Sequence, residues 1–416
     1  MTTTRRAILA AALALPAIGH AQGAARVVVI GGGFGGASAA RALRRIAPAI
    51  AVTLVEPNAT FTACPFSNAV IAGLRDMAAQ EFTYTSVTAA GIRIIPQAAA
   101  AIDADQRRVT LADGTTLDYD RLILSPGIDL RWDGLPGYTE AAATRMPHAW
   151  KAGPQTLLLR DRLAALPDGG LVVMSVPANP YRCPPGPYER ASLIAHNLKT
   201  HKPRAKLIVL DAKDAFSKQR LFQNAWKTLY PDNLEWVGLS AGGKVTEVDA
   251  GAGTVKTDFA THTPDLANII PPQRAAAIAA IAGVADRTGW CAINPVTFES
   301  RLRPNIHVIG DAAIAGAMPK SAFAANAQAK ACAQAVAELL DHLTPATPRL
   351  LNTCYSLVAP GYGISVAGVY RPANGVLADI DGAGGTSPLD APAATREAEA
   401  RYAESWFHTI TTEAFG

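Results

Sequence analysis

The sequence predicts an α/β protein made of two Rossmann-like units, the second of them degenerate, followed by a smaller C-terminal α+β domain. Three observations carry that expectation. The apolar run RVVVI enters the turn Gly31-Gly32-Gly33-Phe34-Gly35-Gly36, and a helical stretch leads on to a second strand, AVTLVE. A second strand–helix–strand pattern spans residues 171–211, with prolines where the first has glycines. From about residue 347 the chain becomes turn-rich and carries the alternating segment ISVAGVY.

Length and composition agree with this. A chain of 416 residues corresponds to about two to three domains at ~150 residues each, and 49% hydrophobic residues can fill large cores. Residues 1–21 read as a leader: Arg5-Arg6, the apolar AAALALPAIG, then small residues around Gly19-His20-Ala21 suited to cleavage. That apolar run is too short to span a bilayer. A twin-arginine pair ahead of it resembles signals of the pathway that exports folded proteins, which a protein loaded with a cofactor before export requires. The expectation is therefore a periplasmic protein. No later stretch approaches the ~18 uninterrupted apolar residues of a membrane helix, so an integral membrane protein is not expected. The net charge of +4 includes Arg5 and Arg6; no basic excess points to nucleic acid.

The first unit begins at residue 24 and runs to about 150. Gly31 makes the tight turn, Gly33 lets a pyrophosphate near, Gly36 lets helix and sheet touch, and the helix N-terminus adds positive potential. Glu56 follows at the spacing of a ribose-binding carboxylate, which completes the dinucleotide fingerprint. YDRLILSPGIDL, residues 119–130, reads as a strand ending in a Ser-Pro-Gly turn, the kind of place where two-dinucleotide-domain flavoproteins return to their cofactor.

Residues 151–284 form the second unit, with strands LVVMSVP and AKLIVLD and a helix between them. Its turn, residues 177–187, contains Pro177, Pro180, Pro184, Pro185 and Pro187 around Cys183. Prolines lack the N–H donors that a phosphate cradle uses, so a nicotinamide site is expected to be lost and its space given to Cys183.

The first unit resumes over residues 285–345. RPNIHVIGDAA is a strand ending in Gly310-Asp311, where the aspartate can hydrogen-bond a flavin's ribityl chain. A long helix is expected from near Pro319, its N-terminus aimed at the flavin's pyrimidine end, with Lys320 adding charge there. Residues 346–416 form the third segment, which supplies Cys354.

The chain resembles the flavoprotein subunit of flavocytochrome c sulfide dehydrogenase. The resemblance covers essentially the whole mature length, through VIGGGFGGASAA, FTACPFSN, CPPGPYERAS, IIPPQRA, GWCAINPVTFES, VIGDAAIAGAMPKSAFAANAQAK, NTCYSLVAPGYGISVAGVYR and RYAESWFHTITTEAFG. It implies that Cys64 is the covalent 8α-thioether attachment point of FAD, although Pro65 and Phe66 depart from the more usual tyrosine-leucine. It also implies that Cys183 and Cys354 form an active-site disulfide, that Glu189 is the acid/base carboxylate, and that Trp406 lies near the flavin. The electron acceptor it implies is a c-type cytochrome subunit carrying the haem.

Chemistry agrees with that set. A disulfide over a flavin is an electrophile; hydrosulfide attacks one sulfur, leaving a persulfide on one cysteine and a thiolate on the other. A carboxylate of raised pKa at Glu189 can take the proton of the incoming sulfide. Cys291 and Cys332 read as unreactive packing residues, and no metal site is expected. The chain has no CxxCH and so cannot attach a c-type haem itself, which makes a partner necessary. Two alternatives stand beside this reading: sulfide:quinone oxidoreductase, and an accessory flavoprotein of a periplasmic sulfur-oxidising complex.

Overall fold

The computed structural model describes residues 24–416, so the leader with Arg5 and Arg6 lies outside the described residues. The protein is α/β, with two parallel sheets joined by a short antiparallel pair. The first sheet runs Ile306–Val308, Arg121–Leu124, Arg26–Ile30, Ala51–Val55 and Arg93–Ile95, all parallel. Such strands are covered on both faces and therefore read as nearly continuous apolar runs; Val27, Val29, Leu54 and Ile123 are buried without residue.

The chain leaves this sheet after Arg121–Leu124 and returns to the same strand with Ile306–Val308. Between the two passes lies the second sheet, in the order Leu234–Val237, Lys206–Asp211, Leu171–Val176 and Leu266–Ile269, again all parallel. Outgoing and returning segments pair with each other, Ile128–Leu130 antiparallel to Gln273–Ala275. That pairing ties the two units at their junction.

The C-terminal segment is an antiparallel sheet of Leu350–Ala359, Tyr362–Ala373 and Val376–Asp379, followed by helix Ala393–Phe415. In Leu350–Ala359 alternate residues are buried, so the period of two places Asn352, Cys354, Ser356 and Val358 on the inward face. Helix Ala322–Leu340 packs along helix Phe34–Ile46, with Asn326 Nδ2 donating to Ser38 Oγ at 2.9 Å. Its start is later than the sequence reading places it, because Ser321 is the cap: Ser321 Oγ accepts from the Ala324 N–H at 3.0 Å.

Candidate functional site

The glycine turn is closed by contacts that admit no side chain. Gly31 has φ +96°, and a Cβ there would lie 2.3 Å from the Ser125 carbonyl oxygen. At Gly36 a Cβ would lie 1.8 Å from the Gly31 oxygen, so the helix can approach the strand only without one. Glu56 hangs across the turn: Oε2 accepts from the Gly32 N–H at 2.8 Å, and Oε1 from the Asn58 backbone and side chain at 2.9 and 2.7 Å.

From this turn a cavity of about 820 Å³ extends to the second unit. Gly31, Gly33 and Glu56 line one end; Cys64, Cys183 and Glu189 line it further along. Gly310, Asp311 and the N-terminal residues Ser321 and Ala322 of helix Ala322–Leu340 line it as well. The elongated wall, the cradle that any Cβ would fill and a helix start facing inward suit a dinucleotide of FAD's size and charge. Two polar atoms at the wall have no partner within the protein, Asp311 Oδ1 and Trp150 Nε1, which leaves both free for a ligand.

Cys64 precedes the short helix Ser67–Ile71, and its carbonyl accepts from the Ser67 N–H at 3.0 Å. Gln80 Nε2 holds the loop from below by donating to the Ala63 carbonyl at 2.9 Å and to that of Pro65. Cys183 sits in the left-handed region at φ +57°. Its N–H donates to the Lys320 carbonyl at 2.7 Å and its carbonyl accepts from Gly186 at 2.8 Å. A Cβ on Gly186 would come within 3.0 Å of Cys183 Sγ. A strained backbone held by such contacts is characteristic of functional positions.

Glu189 lies in the first turn of helix Gly186–His201. Oε1 accepts from the Leu357 N–H at 2.9 Å and Oε2 from Asn68 Nδ2 at 2.9 Å. Burial raises its pKa, against the pull of those two hydrogen bonds and of Lys218 and Arg190. The buried Arg190 in turn donates from Nε to Asn68 Oδ1 at 3.0 Å and from Nη1 to the His148 carbonyl at 2.8 Å. Arg182, also at the cavity wall, reaches Asp311 Oδ2 at 3.9 Å and donates to the Trp150 carbonyl.

Cys183 and Cys354 are held here as free thiols; Cys354 is buried, 3.4 Å from Asn352 Nδ2. Burial pushes the Cys183 thiol up, as do the charges of Cys354 and Glu189, and Arg182 and Lys218 oppose them. Lys320 does not present its ammonium to the cavity. Its Nζ donates to the carbonyls of Asp311 and Ala313 at 2.8 and 2.6 Å and lies 4.0 Å from the Trp290 ring centroid, because these groups satisfy a buried cation better than an open wall does. Trp406 does not line the cavity either. It stacks on Phe323 at 6.5 Å and meets Tyr355 edge-on at 6.4 Å, with its Nε1 unpartnered.

The strand-end acid of the second unit is enclosed rather than open to a cavity. Asp211 ends strand Lys206–Asp211 as a ribose acid would, yet it is fully buried. It accepts from Tyr188 OH at 2.7 Å and Trp236 Nε1 at 3.0 Å, and pairs with Lys213 Nζ at 2.6 Å. Tyr188 stacks on Phe216 with ring centroids 3.6 Å apart. Cys291 and Cys332 are fully buried, and burial raises both thiols, Cys291 to about 12.

Asn68, Arg182, Arg190 and Lys218 were not picked out from the sequence. The first three lie within or beside the quoted strings FTACPFSN and CPPGPYERAS, so a search for charged and amide residues flanking the two cysteines would have found them. Lys218 carries no such signal.

Comparison with known proteins supplies the family. Residues 156–271 match the central region of the sulfide dehydrogenase (flavocytochrome c) flavoprotein chain, residues 346–415 the flavin-binding region of flavocytochrome c sulphide dehydrogenase, and residues 25–154 the pyridine nucleotide-disulphide oxidoreductases. A 48-residue sequence of the sulfide dehydrogenase flavoprotein chain of Chlorobaculum thiosulfatiphilum is 67% identical, matched over its full length and 12% of this chain. Mitochondrial sulfide:quinone oxidoreductase of Mus musculus is 25% identical over 68% of this chain and 65% of its own length. In fold, the sulfide:quinone oxidoreductase of Aquifex aeolicus aligns with a TM-score of 0.74 at 18% identity, covering 94% of this chain and 92% of that one. Putidaredoxin reductase in its covalent complex with putidaredoxin aligns at 0.66 and 17% identity, covering 91% and 93%. With both halves of the family's own signature present and Cys64, Cys183 and Glu189 gathered at one cavity, the chain belongs to the family of flavoprotein chains of flavocytochrome c sulfide dehydrogenase.

Proposed function

We propose that the protein is an FAD-dependent sulfide dehydrogenase that oxidises sulfide to sulfane sulfur through Cys183 and Cys354 and passes the electrons to a c-type cytochrome. The observation that supports this most is the placement of Cys183 and Glu189 on the wall of the cavity that begins at the Gly31–Gly36 turn. FAD would be held by that turn, Glu56 and Asp311, with Cys64 as its covalent anchor, and when bound it supplies a two-electron acceptor.

The chain's own residues account for the rest. With the pair oxidised, hydrosulfide attacks one sulfur; a new S–S bond forms as the Cys183–Cys354 bond breaks, and the electron pair of the broken bond remains on the other cysteine. Glu189, raised by burial, accepts the proton of the incoming sulfide. Asn68 and the Leu357 N–H orient that carboxylate. Arg182 and Arg190 place positive charge beside Cys64 and Cys183. The absence of CxxCH supports a haem carried on a separate chain, and the leader-like residues 1–21 support a periplasmic location.

The test of the reading is turnover: the FAD-loaded protein should reduce a c-type cytochrome with sulfide and should not use a quinone in its place. Quinone reduction at the faster rate would favour the sulfide:quinone alternative. Covalent attachment is tested by acid precipitation, which should leave the flavin in the pellet for the wild type and in the supernatant for Cys64→Ala. Fractionation of cells expressing the complete chain should recover it in the periplasm.

A further inference from the structure

Lys218 is a buried cation that the mechanism above leaves without a role. It stands at the N-cap of helix Gln219–Leu229 with φ +62°, a left-handed conformation that a lysine seldom adopts. Its side chain crosses from the second unit into the C-terminal sheet. There Nζ donates to Ser356 Oγ at 2.8 Å and to the carbonyls of Cys354 and Ile364 at 3.3 and 3.4 Å.

Three neutral oxygens do not neutralise an ammonium, and a buried charge requires an anion nearby. The charged and titratable groups that face it are Cys354, Glu189, Cys183 and Glu399. Glu399 is spent elsewhere, on Ser365, Ser387 and Arg396. Glu189 is shared with Asn68 and the Leu357 N–H. Cys183 is also faced by Arg182, and Cys354 by Tyr370. Of the four, Cys354 acts on Lys218 most strongly and Glu189 next, so the cysteine pair joins Glu189 as counter-ion, and it carries a negative charge only when it is open. Burial pulls Lys218 down to about 8, so at neutral pH most of the ammonium is still protonated.

We propose that Lys218 is the positioning residue of the sulfur pair: it fixes the Cys354 strand through its carbonyl and Ser356, and its charge stabilises the anionic sulfur left on the pair when the disulfide opens. The inference rests on the reading that the pair opens and closes in turnover, and extends it to a residue outside the cavity wall. The step balances with the hydrosulfide of the proposed reaction: its attack forms a new S–S bond to one cysteine as the Cys183–Cys354 bond breaks, that bond's electron pair stays on the other sulfur, and the ammonium compensates the charge without transferring a proton.

The test is the pH profile of thiol alkylation in the flavin-loaded protein, reduced with dithiothreitol and quenched with iodoacetamide over a pH series, with Cys183 and Cys354 quantified by peptide mass spectrometry. Removing an opposite charge at this range should move half-maximal alkylation of the pair up by about one pH unit in Lys218→Met, seen as roughly tenfold slower modification below the midpoint. Lys218→Arg, which keeps the charge, should return most of the way to wild type. Ser356→Ala removes a hydrogen bond and leaves the charge, and should move the profile little. If Lys218→Met does not accumulate with flavin bound, Lys218→Gln keeps a donor for the same oxygens and carries the same expectation. A Met or Gln profile superimposed on wild type, or a shift in Ser356→Ala as large as in Lys218→Met, overturns the proposal. Alkylation uses no sulfide, so failure of the sulfide reading, seen as a wild-type flavin that sulfide does not bleach, is a separate result.

Discussion

The two parallel units repeat one grammar, strand, turn, helix, strand with a terminal acid, and end as opposites. In the first, Gly31 and Gly36 bring backbone where a Cβ would collide, and Glu56 lines an open cavity. In the second, prolines occupy the turn, Tyr188 and Phe216 stack against each other, and Asp211 is buried under Tyr188, Trp236 and Lys213. The first turn is built to admit an anion, and the second is sealed and presents Cys183 to the first unit's cavity. The second turn thus contributes Cys183 to the wall of the first unit's cavity, which is where the proposed sulfur chemistry would take place.

That contrast can be broken from either side. Gly36→Val should cause the largest change: a branched side chain 1.8 Å from the Gly31 oxygen cannot be accommodated, and the variant should purify colourless, as absorbance near 450 nm would show. On the other side, Cys183→Ser should keep its flavin and lose sulfide-driven bleaching in anaerobic titration. If this variant bleaches as fast as wild type, the cysteine is only structural.

Glu189→Gln keeps the shape of the wall and removes the base, so stopped-flow reduction by sulfide should slow by roughly 10²- to 10⁴-fold. The pH dependence has a definite sign. Glu189 works as acceptor in its deprotonated form, and burial raises it, so the rising limb of the wild-type rate should lie above the ordinary carboxylate range. The glutamine variant should lack that limb. The smallest effect is expected at the sealed turn: Tyr188→Phe leaves Asp211 short of one donor and should lower stability by about 1–3 kcal/mol in denaturant unfolding, without creating affinity for NADH in calorimetry. A gain of NADH binding there would show that the seal is a single hydroxyl rather than the packed aromatic layer.

The legible parts of the molecule were those where local chemistry dictates local shape. Glycine spacing at residues 31–36 and the acid at Glu56 announce the first unit, and prolines around Cys183 announce the altered turn. The chain return at Gly310-Asp311 was equally readable from an apolar strand ending in a polar corner. The strand that carries Cys354 was harder, because its inward face is Asn352, Cys354 and Ser356, so the usual apolar alternation is muted.

Side-chain direction was less readable still. Lys320 and Trp406 lie close to the cavity in sequence terms, and each turned to the partners that bury it best, Trp290 with two carbonyls and Phe323 with Tyr355. Lys218 depends wholly on a long-range crossing between the second unit and the C-terminal sheet. No local pattern encodes such a contact.

The central claim, that the sealed second turn turns a nicotinamide site into a sulfur site, is tested most directly by anaerobic titration of the flavin-loaded chain with sulfide and, separately, with NADH, following the flavin absorbance. The account predicts bleaching by sulfide at about one equivalent per flavin and none by NADH. Bleaching by NADH with no response to sulfide would contradict it.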